Sequence, residues 1–180
     1  MKENDKIFIY GVPGVGKSYL SKELGKKLKL LVIEGDKIKT KLKKNISREQ
    51  SPFLYLGTCQ AYKKFGELNQ ENAVNGLLAV RKALSGAITE EVKNWHSLIL
   101  EAAFLDPSIL QEIGKVILVI TSDEKRHKKQ FLHHRERLFD IGGNEFRAAR
   151  IVQKYLVEEA TGLNVQIIDN DGTQQALQMF

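Results

Sequence analysis

Cysteine is nearly absent from the sequence, which contains only Cys59 among 180 residues. One cysteine cannot form an internal disulfide, so the small disulfide-stapled secreted folds are excluded and a reducing compartment is favoured. Long apolar runs are also lacking: none approaches the roughly 18 residues of a transmembrane helix, and the charged N-terminal residues 1–6 do not resemble a signal peptide. We therefore expect a cytoplasmic protein that does not have a membrane as a partner.

Aromatic residues make up only 8% of the sequence and are scattered singly rather than interleaved with lysine and arginine, which argues against a stacking surface for single-stranded nucleic acid. Apolar residues amount to 42% and charged residues to 28%, values that are typical of soluble globular proteins. This composition excludes disordered, collagen-like and low-complexity chains. Because internal repeats and linkers are also missing, the sequence predicts a single domain over residues 1–180.

The charge of the chain is unbalanced, since 28 lysine and arginine residues against 22 aspartate and glutamate residues give a net charge of +6. Such an excess suits partners that carry phosphate, from small molecules to nucleic acid, and it also serves solubility. Much of the positive charge lies in two stretches, 22–48 and 125–137. If the charge serves a ligand, we expect the contacts in these stretches.

Short apolar runs alternate with stretches of helical periodicity along the chain. Five runs predict buried strands, at 6–10, 30–33, 97–100, 115–120 and 164–168. Helices are predicted at 17–29, 53–64, 69–93, 107–113, 124–139 and 145–161, and 37–44 is a short basic helix or a loop. This alternation is typical of βαβ units, whose parallel strands are covered by helices on both faces. The predicted fold is therefore α/β, a three-layer α/β/α sandwich with a parallel five-stranded sheet.

The segment G-V-P-G-V-G-K-S at 11–18 matches the phosphate-binding loop pattern G-x-x-x-x-G-K-[ST] at every fixed position. It lies between the first predicted strand and an amphipathic helix, which is the context that the motif requires. Glycines let backbone N–H groups turn towards phosphate, Lys17 neutralises β- and γ-phosphate charge, and the Ser18 hydroxyl ligates Mg²⁺. We therefore predict ATP and Mg²⁺ as cofactors. The residues predicted to bind the nucleotide are Gly11, Gly14, Val15, Gly16, Lys17, Ser18 and Tyr19.

Three carboxylates, Asp36, Glu101 and Asp169, come after predicted strands. Ligands of open α/β sheets bind beyond the carboxyl ends of the strands, so these positions are candidates for chemistry. Asp36 could orient an acceptor hydroxyl or take its proton, and Glu101 could hold Mg²⁺ through water or position the substrate. The alternatives are helix capping for Asp36 and a strand-end carboxylate without a catalytic role for Glu101. Asp169 opens the turn sequence D-N-D-G, which favours a structural role or a place near the nucleotide base.

The segment 123–137 carries more positive charge than a solvated helix face needs. Phosphoryl transfer requires cations over the transferring group, and the forked guanidinium of arginine suits this role. We predict a basic helical lid at about 123–150, in which Arg126 and Arg135 act in catalysis together with Lys17 and Asp36. The histidines of the segment have no cysteine or carboxylate at metal-ligand spacing, so we do not expect them to form a metal site.

Several segments beyond the loop resemble the archaeal 2-phosphoglycerate kinases and related small P-loop kinases, and the likeness runs nearly from end to end. The segment G-D-K-I-K at 35–39 resembles the family's T-D-x-I-R, and L-I-L-E-A-A-F-L-D-P at 98–107 resembles its I-I-E-G-x-H-L-x-P. The segment 51–62 resembles the family's P-x-L-H-x-S-S-Y, while 123–132 and 146–157 resemble its basic lid helix and the helix that follows. The chain departs from the pattern at four positions: Lys39, Tyr55, Ala102 and Phe104.

The resemblance implies a P-loop kinase of the nucleoside-kinase-like kind, which moves the γ-phosphoryl group of Mg·ATP to a hydroxyl of a small anionic acceptor similar to 2-phosphoglycerate. The implied acceptor site lies between Asp36, the segment 51–62 and Glu101. Two other functions remain open: a kinase acting on a nucleotide or an RNA hydroxyl, which the basic stretch 22–44 would support, and a nucleotide-binding regulatory switch. The loop contacts phosphates alone, so ATP and GTP are not distinguished, and the oligomeric state is also left open.

Overall fold

The computed structural model describes residues 6–134 and 143–170. Its centre is a five-stranded sheet in which every strand pair is parallel, with the strand order β2-β3-β1-β4-β5. All five predicted strands are confirmed, although β2, β3 and β5 begin one or two residues later than predicted. The strands are β1 (Lys6–Tyr10), β2 (Val32–Glu34), β3 (Leu98–Ala102), β4 (Lys115–Ile120) and β5 (Gln166–Asp169).

Within the described residues, six α-helices connect these strands. The helices predicted at 17–29, 69–93 and 145–161 are confirmed to within one residue at each end, and the basic stretch 37–44 lies mostly in a helix. The helix predicted at 107–113 is shorter than expected, and residues 135–139 of the predicted fifth helix lie outside the described part. The helices are α1 (Lys17–Leu28), α2 (Gly35–Leu42), α3 (Gln70–Lys93), α4 (Pro107–Leu110), α5 (Glu124–His134) and α6 (Asn144–Gly162).

Local backbone chemistry sets the ends of the two helices that were predicted best. The long helix α3 starts after Asn69, whose side-chain oxygen accepts the backbone N–H of Asn72 at 2.7 Å. This bond satisfies one of the amides that the first turn of a helix leaves without a partner. Helix α1 ends at Lys29, which adopts the left-handed conformation with φ 56° and donates its N–H to the carbonyl of Gly25. The helices predicted from the sequence begin or end within one residue of both of these observed boundaries.

The prediction of one helix over 53–64 is wrong. Two short 3₁₀ helices, Pro52–Tyr55 and Ala61–Lys64, occupy this segment, and Leu56 between them has an extended backbone with φ −99° and ψ 148°. Gly57 then starts a turn in which its carbonyl accepts the N–H of Gln60 at 2.9 Å. The segment packs on α3 through these turns rather than through one helix face. Its apolar residues pack in or against the core although they do not form one continuous helix.

The burial of the central strands confirms the three-layer architecture. Every residue of β3 is buried, β1 is buried except at Lys6, and β4 is buried except at its two ends. Because successive side chains of a strand point to opposite faces, such burial requires helices on both faces of the sheet. The chain leaves β1 towards β2 and leaves β3 towards β4, in opposite directions, so a crevice opens at the carboxyl ends of these neighbouring strands. The segment 11–18 begins at this crevice.

Candidate functional site

The segment 11–18, called the phosphate loop below, has a backbone that only glycine accommodates at three positions. The φ angle is 146° at Gly11, 84° at Gly14 and 93° at Gly16. At Gly11, a side chain would also collide with the carbonyl oxygen of Val119 on β4. Helix α1 begins at Lys17, so the partial positive charge of its N-terminus lies at the loop. Together these features form an anion-binding backbone cradle.

Side chains from three elements hold carbonyl groups of the phosphate loop. Lys17 Nζ donates to Val12 O at 3.0 Å. Asn170, which follows β5, donates from Nδ2 to Val15 O at 3.0 Å, and His127 Nε2 on α5 lies 2.9 Å from Pro13 O. In a trans peptide the C=O and the next N–H point to opposite sides. Carbonyls held in this way therefore turn the following amides away from the side chains that hold them.

A cleft of about 550 Å³ opens beside the phosphate loop. Five of the seven residues predicted to bind nucleotide line it, among them Tyr19, whose ring is on the surface at 61% exposure. The other two, Gly11 and Val15, are buried residues of the loop and do not line the cleft. The walls consist of Pro13, Gly14, Gly16, Lys17, Ser18, Tyr19, Asp36, Glu101, Ala102, Ala103, Gln130, His133 and Asn170.

The two residues predicted to hold Mg²⁺ are in direct contact. Ser18 Oγ donates to Glu101 Oε1 at 2.8 Å, and Glu101 is buried at 7% exposure. The sequence predicted that Glu101 follows the third strand, whereas it is the fourth residue of β3. A hydroxyl and one carboxylate suit Mg²⁺, which prefers oxygen ligands and usually completes its shell with water and substrate phosphates. The donor set therefore fits the predicted cation.

Asp36 lies in the first turn of α2 and lines the same cleft as Glu101. Asp36 does not cap this helix, because the N-cap residue is Glu34 and α2 has no side-chain capping hydrogen bond at that end. The side chain of Asp36 is exposed, so its carboxylate is available to the cleft. Of the two roles considered from the sequence, helix capping is thus wrong, and the cleft-facing role stays open.

Helix α5 packs directly on the phosphate loop. A Cβ atom at Gly14 would lie 2.8 Å from the Cα of Phe131, so the two backbones touch. Arg126, in the first turn of α5, donates its backbone N–H to Asp123 Oδ1 at 2.8 Å and does not line the cleft in the described structure. Arg135 lies outside the described residues, as does part of the predicted lid 123–150. The catalytic roles of both arginines stay predictions.

Lys39, one of the positions that departs from the 2-phosphoglycerate kinase pattern, is turned inwards. Its side chain is buried at 8% exposure, and Nζ donates to the carbonyl of Leu56 and lies 5.7 Å from the centre of the Phe104 ring. Burial lowers the pKa of Lys39 from its ordinary 10.5 to about 8, with Lys43 adding to the effect and Asp36 opposing it. The ammonium therefore joins α2 to the segment 51–62 next to the cleft.

Two residues that hold the phosphate loop were missed in the sequence. His127 was considered only as a metal ligand, and Asn170 only as part of a turn. Neither has a local signal, because their partners Pro13 and Val15 are 114 and 155 residues away along the chain. Asp169, next to Asn170, has the predicted structural role, since its Oδ1 accepts the backbone N–H of Ser122 at 3.0 Å.

Comparison with protein families identifies the domain. The sequence profile of a family described as an AAA domain matches residues 7–153, which include the phosphate loop, Asp36 and Glu101. The chain belongs to this AAA domain family. An uncharacterized protein of Dictyostelium discoideum is 28% identical over 199 aligned residues, covering 98% of the chain. The chain spans only 23% of the length of that relative.

Solved structures of small kinases share the fold of this AAA domain. A shikimate kinase from Acinetobacter baumannii, in complex with shikimate, matches with a TM-score of 0.65 at 14% identity, over 98% of this chain and 90% of that one. A gluconokinase from Sinorhizobium meliloti matches with a TM-score of 0.53 at 14% identity, over 95% and 85% of the two chains. A deoxyadenosine kinase from M. mycoides with bound dATP matches with a TM-score of 0.53 at 16% identity, over 98% and 96%.

These similarities establish the α/β fold of the P-loop kinases and favour no particular acceptor. The resemblance to the 2-phosphoglycerate kinases therefore stays a prediction. Across residues 6–134 and 143–170, no helix is both long and apolar enough to cross a membrane. In the same ranges, no three histidine, cysteine, aspartate or glutamate side chains come together as a metal-binding group.

Proposed function

We propose that the chain is a small P-loop kinase that binds Mg·ATP on the phosphate loop and transfers the γ-phosphoryl group to a hydroxyl of a small anionic acceptor. The observation that carries this proposal is the Ser18–Glu101 contact of 2.8 Å in a cleft that Lys17 and Asp36 also line. In this proposal, Ser18 and Glu101 would supply an oxygen pair for Mg²⁺, Lys17 a cation for phosphate, and Asp36 a carboxylate for the acceptor, all around one space. The fold shared with the shikimate kinase solved with shikimate supports an acceptor of small size.

The chain's own groups divide the work of binding. The amides of the phosphate loop and the N-terminus of α1 receive the β- and γ-phosphates, and Lys17 offsets their charge. Ser18 and Glu101 are the residues that would hold Mg²⁺, Ser18 through its hydroxyl and Glu101 directly or through water. When bound, Mg²⁺ neutralises charge that develops on the phosphate oxygens.

Asp36 is the group that we propose acts on the acceptor. Asp36 is exposed and lines the same cleft as the phosphate loop, where its carboxylate would orient the acceptor hydroxyl and take its proton as the oxygen attacks phosphorus. Arg126 and Arg135 remain the proposed source of cations over the transferring group. The acceptor implied by the family resemblance, a compound similar to 2-phosphoglycerate, would lie between Asp36 and the segment 51–62.

The test compares two cleft variants in one assay of ADP release. Lys17→Ala should lower acceptor-dependent turnover about 100-fold or more, because a cation that stabilises the transition state is lost. Asp36→Asn should leave the ATP dissociation constant within about twofold and lower turnover by about 100-fold or more, because the proton acceptor is removed. Lys22→Ala, an exposed lysine on the same helix α1, is the matched control and should behave as the wild type.

The acceptor panel contains 2-phosphoglycerate, glycerate, other small hydroxy acids, nucleoside monophosphates and tRNA. Stimulation of turnover by a small hydroxy acid supports the proposal and names the acceptor class. Wild-type turnover in Lys17→Ala would refute the mechanism. Loss of ATP affinity in Asp36→Asn would instead make Asp36 a metal or folding residue.

A nucleotide or RNA hydroxyl is the second candidate acceptor, and one surface favours it. A groove of about 310 Å³ on the outer side of α2 is lined by Lys37, Lys41 and Lys44 and shares Asp36 with the cleft. An acceptor with several phosphates could extend from the cleft along these lysines. In the same panel, stimulation of turnover by tRNA that falls steeply with added salt would favour an RNA hydroxyl as the acceptor. A chain that binds ATP but responds to no acceptor would be the nucleotide-dependent switch considered from the sequence.

A further inference from the structure

His127 is fully buried at the point where α5 meets the phosphate loop. It is 0% exposed, and its ring packs against the rings of Phe131 and Phe146 at centroid distances of 6.2 and 5.2 Å. A buried imidazole needs partners for both ring nitrogens, because an unpaired polar group in the core is costly. His127 has them on two different elements.

The two hydrogen bonds of the ring determine where its proton lies. Nε2 lies 2.9 Å from the carbonyl oxygen of Pro13, and Nδ1 lies 3.3 Å from Nη1 of Arg150 on α6. A carbonyl oxygen can only accept and a guanidinium can only donate. Nδ1 is therefore the acceptor and Nε2 carries the proton, which it donates to Pro13.

Other contacts keep this arrangement in place. Arg150 is itself fixed, because Nη1 donates to Thr121 O at 2.8 Å and Nη2 donates to Ser122 O at 3.3 Å, both just after β4. Burial lowers the pKa of the His127 imidazole, and the positive charges of Arg150 and Lys17 lower it further, although the bond to Pro13 and the charge of Glu124 oppose this. In this geometry the ring is neutral, because Nδ1 accepts from Arg150 and Nε2–H is the one donor.

The carbonyl of Pro13 belongs to the same rigid peptide plane as the N–H of Gly14. This peptide is trans, so its C=O and N–H point to opposite sides of the backbone. When His127 on α5 holds the Pro13 oxygen, the Gly14 N–H therefore points away from α5. Gly14 has a φ angle of 84°, and glycine adopts positive and negative φ about equally well, so the backbone preference of this residue does not fix the orientation of the peptide. The bond from His127 supplies a contact that does. Pro13 and Gly14 both line the cleft.

We propose that His127 is a positioning residue that holds the Pro13–Gly14 peptide in the orientation that receives phosphate, and that Arg150 selects the tautomer that makes this possible. The inference rests on the proposed nucleotide binding and adds a link between α5, α6 and the phosphate loop. His127 does not line the cleft itself. Its effect is on nucleotide affinity rather than on the transfer step.

The test replaces the donor while keeping the packing. His127→Phe keeps an aromatic ring in the cluster but removes the proton donor, and should weaken the ATP dissociation constant about tenfold, the effect of misplacing one phosphate-binding amide. His127→Gln places an amide N–H near the position of Nε2 and should restore affinity to within about threefold. Phe146→Leu, which changes another ring of the same cluster and leaves the His127 proton donor in place, should lower thermal stability and leave ATP affinity unchanged.

Nitrogen NMR of the free protein gives a readout that needs no nucleotide. The wild type should show the Nε2–H tautomer of His127, and Arg150→Met should allow the Nδ1–H tautomer to appear. The Gly14 amide resonance should shift in His127→Phe and return towards its wild-type position in His127→Gln.

The outcomes separate this inference from the proposed function. If the wild type binds no nucleotide, the proposed function fails, while the tautomer and the Gly14 resonance still decide whether His127 holds the peptide. If the wild type binds ATP and His127→Phe binds it equally well, the inference is overturned. An Nδ1–H tautomer in the wild type, or equal loss of affinity in Phe146→Leu, overturns it too. If His127→Phe does not fold, His127→Gln and Arg150→Met still provide the decisive comparison.

Discussion

Lys39 places a titratable ammonium in the interior beside the cleft, and this gives the folded state a defined dependence on pH. Its pKa is about 8 in the folded chain and 10.5 ordinarily, because burial disfavours the charged form. Between these values the unfolded chain binds more protons than the folded one, so stability rises with pH. We predict a rise in the free energy of unfolding between pH 8 and 10, at up to about 1.4 kcal/mol per pH unit.

Urea unfolding at a series of pH values measures this rise. Lys39→Met should flatten it, because the group that titrates is gone, while Lys41→Met, an exposed lysine on the same helix, should retain it. The pH range stops at 10 because Tyr10 and Tyr155 have raised pKa values and begin to lower stability above that point. The assignment to Lys39 is wrong if the Lys39→Met protein shows the same slope as the wild type.

Single residues of the cleft could be predicted where a short pattern carries its own chemistry. The glycines, Lys17 and Ser18 follow from the loop motif, and Glu101 and Asp36 follow from their place near strand ends. The side-chain partners of the residues around the cleft could not be predicted in this way. The inward turn of Lys39 depends on the carbonyl of Leu56, which becomes available because the segment 51–62 is not a helix.

At the scale of elements, the contact between the phosphate loop and α5 leads to a prediction about glycine. In Gly14→Ala, the new methyl would meet the Phe131 backbone at 2.8 Å, and alanine would have to adopt a φ of 84°. We expect a loss of at least about 2 kcal/mol of stability and weaker ATP binding, because either the loop or α5 must shift. Thermal unfolding and equilibrium binding measure the two effects.

Gly86→Ala is the matched control for this substitution. Gly86 lies in the exposed interior of α3, and a Cβ there meets no atom within 4 Å. Alanine should raise stability by about 0.5–1 kcal/mol, because it costs less backbone entropy than glycine in a helix. Retained stability and ATP affinity in Gly14→Ala would mean that α5 does not press on the loop in solution.

Elements were predictable where the pattern was long or bounded by clear signals. The strands are short apolar runs that end at polar residues, and α3 combines a long helical period with the cap at Asn69. The segment 53–64 was not predictable as two 3₁₀ helices, because its apolar residues fit a helical period as well as they fit turns. Packing on α3 and the turn at Gly57 decide between the two, and both depend on the rest of the fold.

For the whole molecule, the class of fold could be predicted but the neighbours of each element could not. The alternation of strands and helices predicts a parallel sheet, whereas the order β2-β3-β1-β4-β5 puts β1 beside β3, far from it in sequence. That order is what brings Glu101 to Ser18 across 83 residues. Helix α3 also packs against α6, where the chain makes a buried ion pair.

This pair joins Arg81 of α3 to Glu159 of α6 by two hydrogen bonds, Nη1 to Oε1 at 2.7 Å and Nη2 to Oε2 at 2.8 Å. The side chains are only 3% and 15% exposed. Removing one partner from a buried pair leaves an uncompensated charge, so Arg81→Met should cost about 3–5 kcal/mol of stability. Tyr155, which donates to Glu159 Oε1 at 3.2 Å, would be the carboxylate's remaining partner among these bonds.

The double variant Arg81→Met/Glu159→Leu should recover most of the stability lost in Arg81→Met, because apolar side chains that pack together can replace a buried ion pair at little net cost. Urea unfolding of the two single variants and the double variant gives the coupling energy between the positions. Since neither residue lines the cleft, ATP affinity should stay at the wild-type value in every variant that folds. A cost below about 1 kcal/mol for Arg81→Met is what an exposed pair would give, and it would show that burial of apolar surface alone holds α3 to α6.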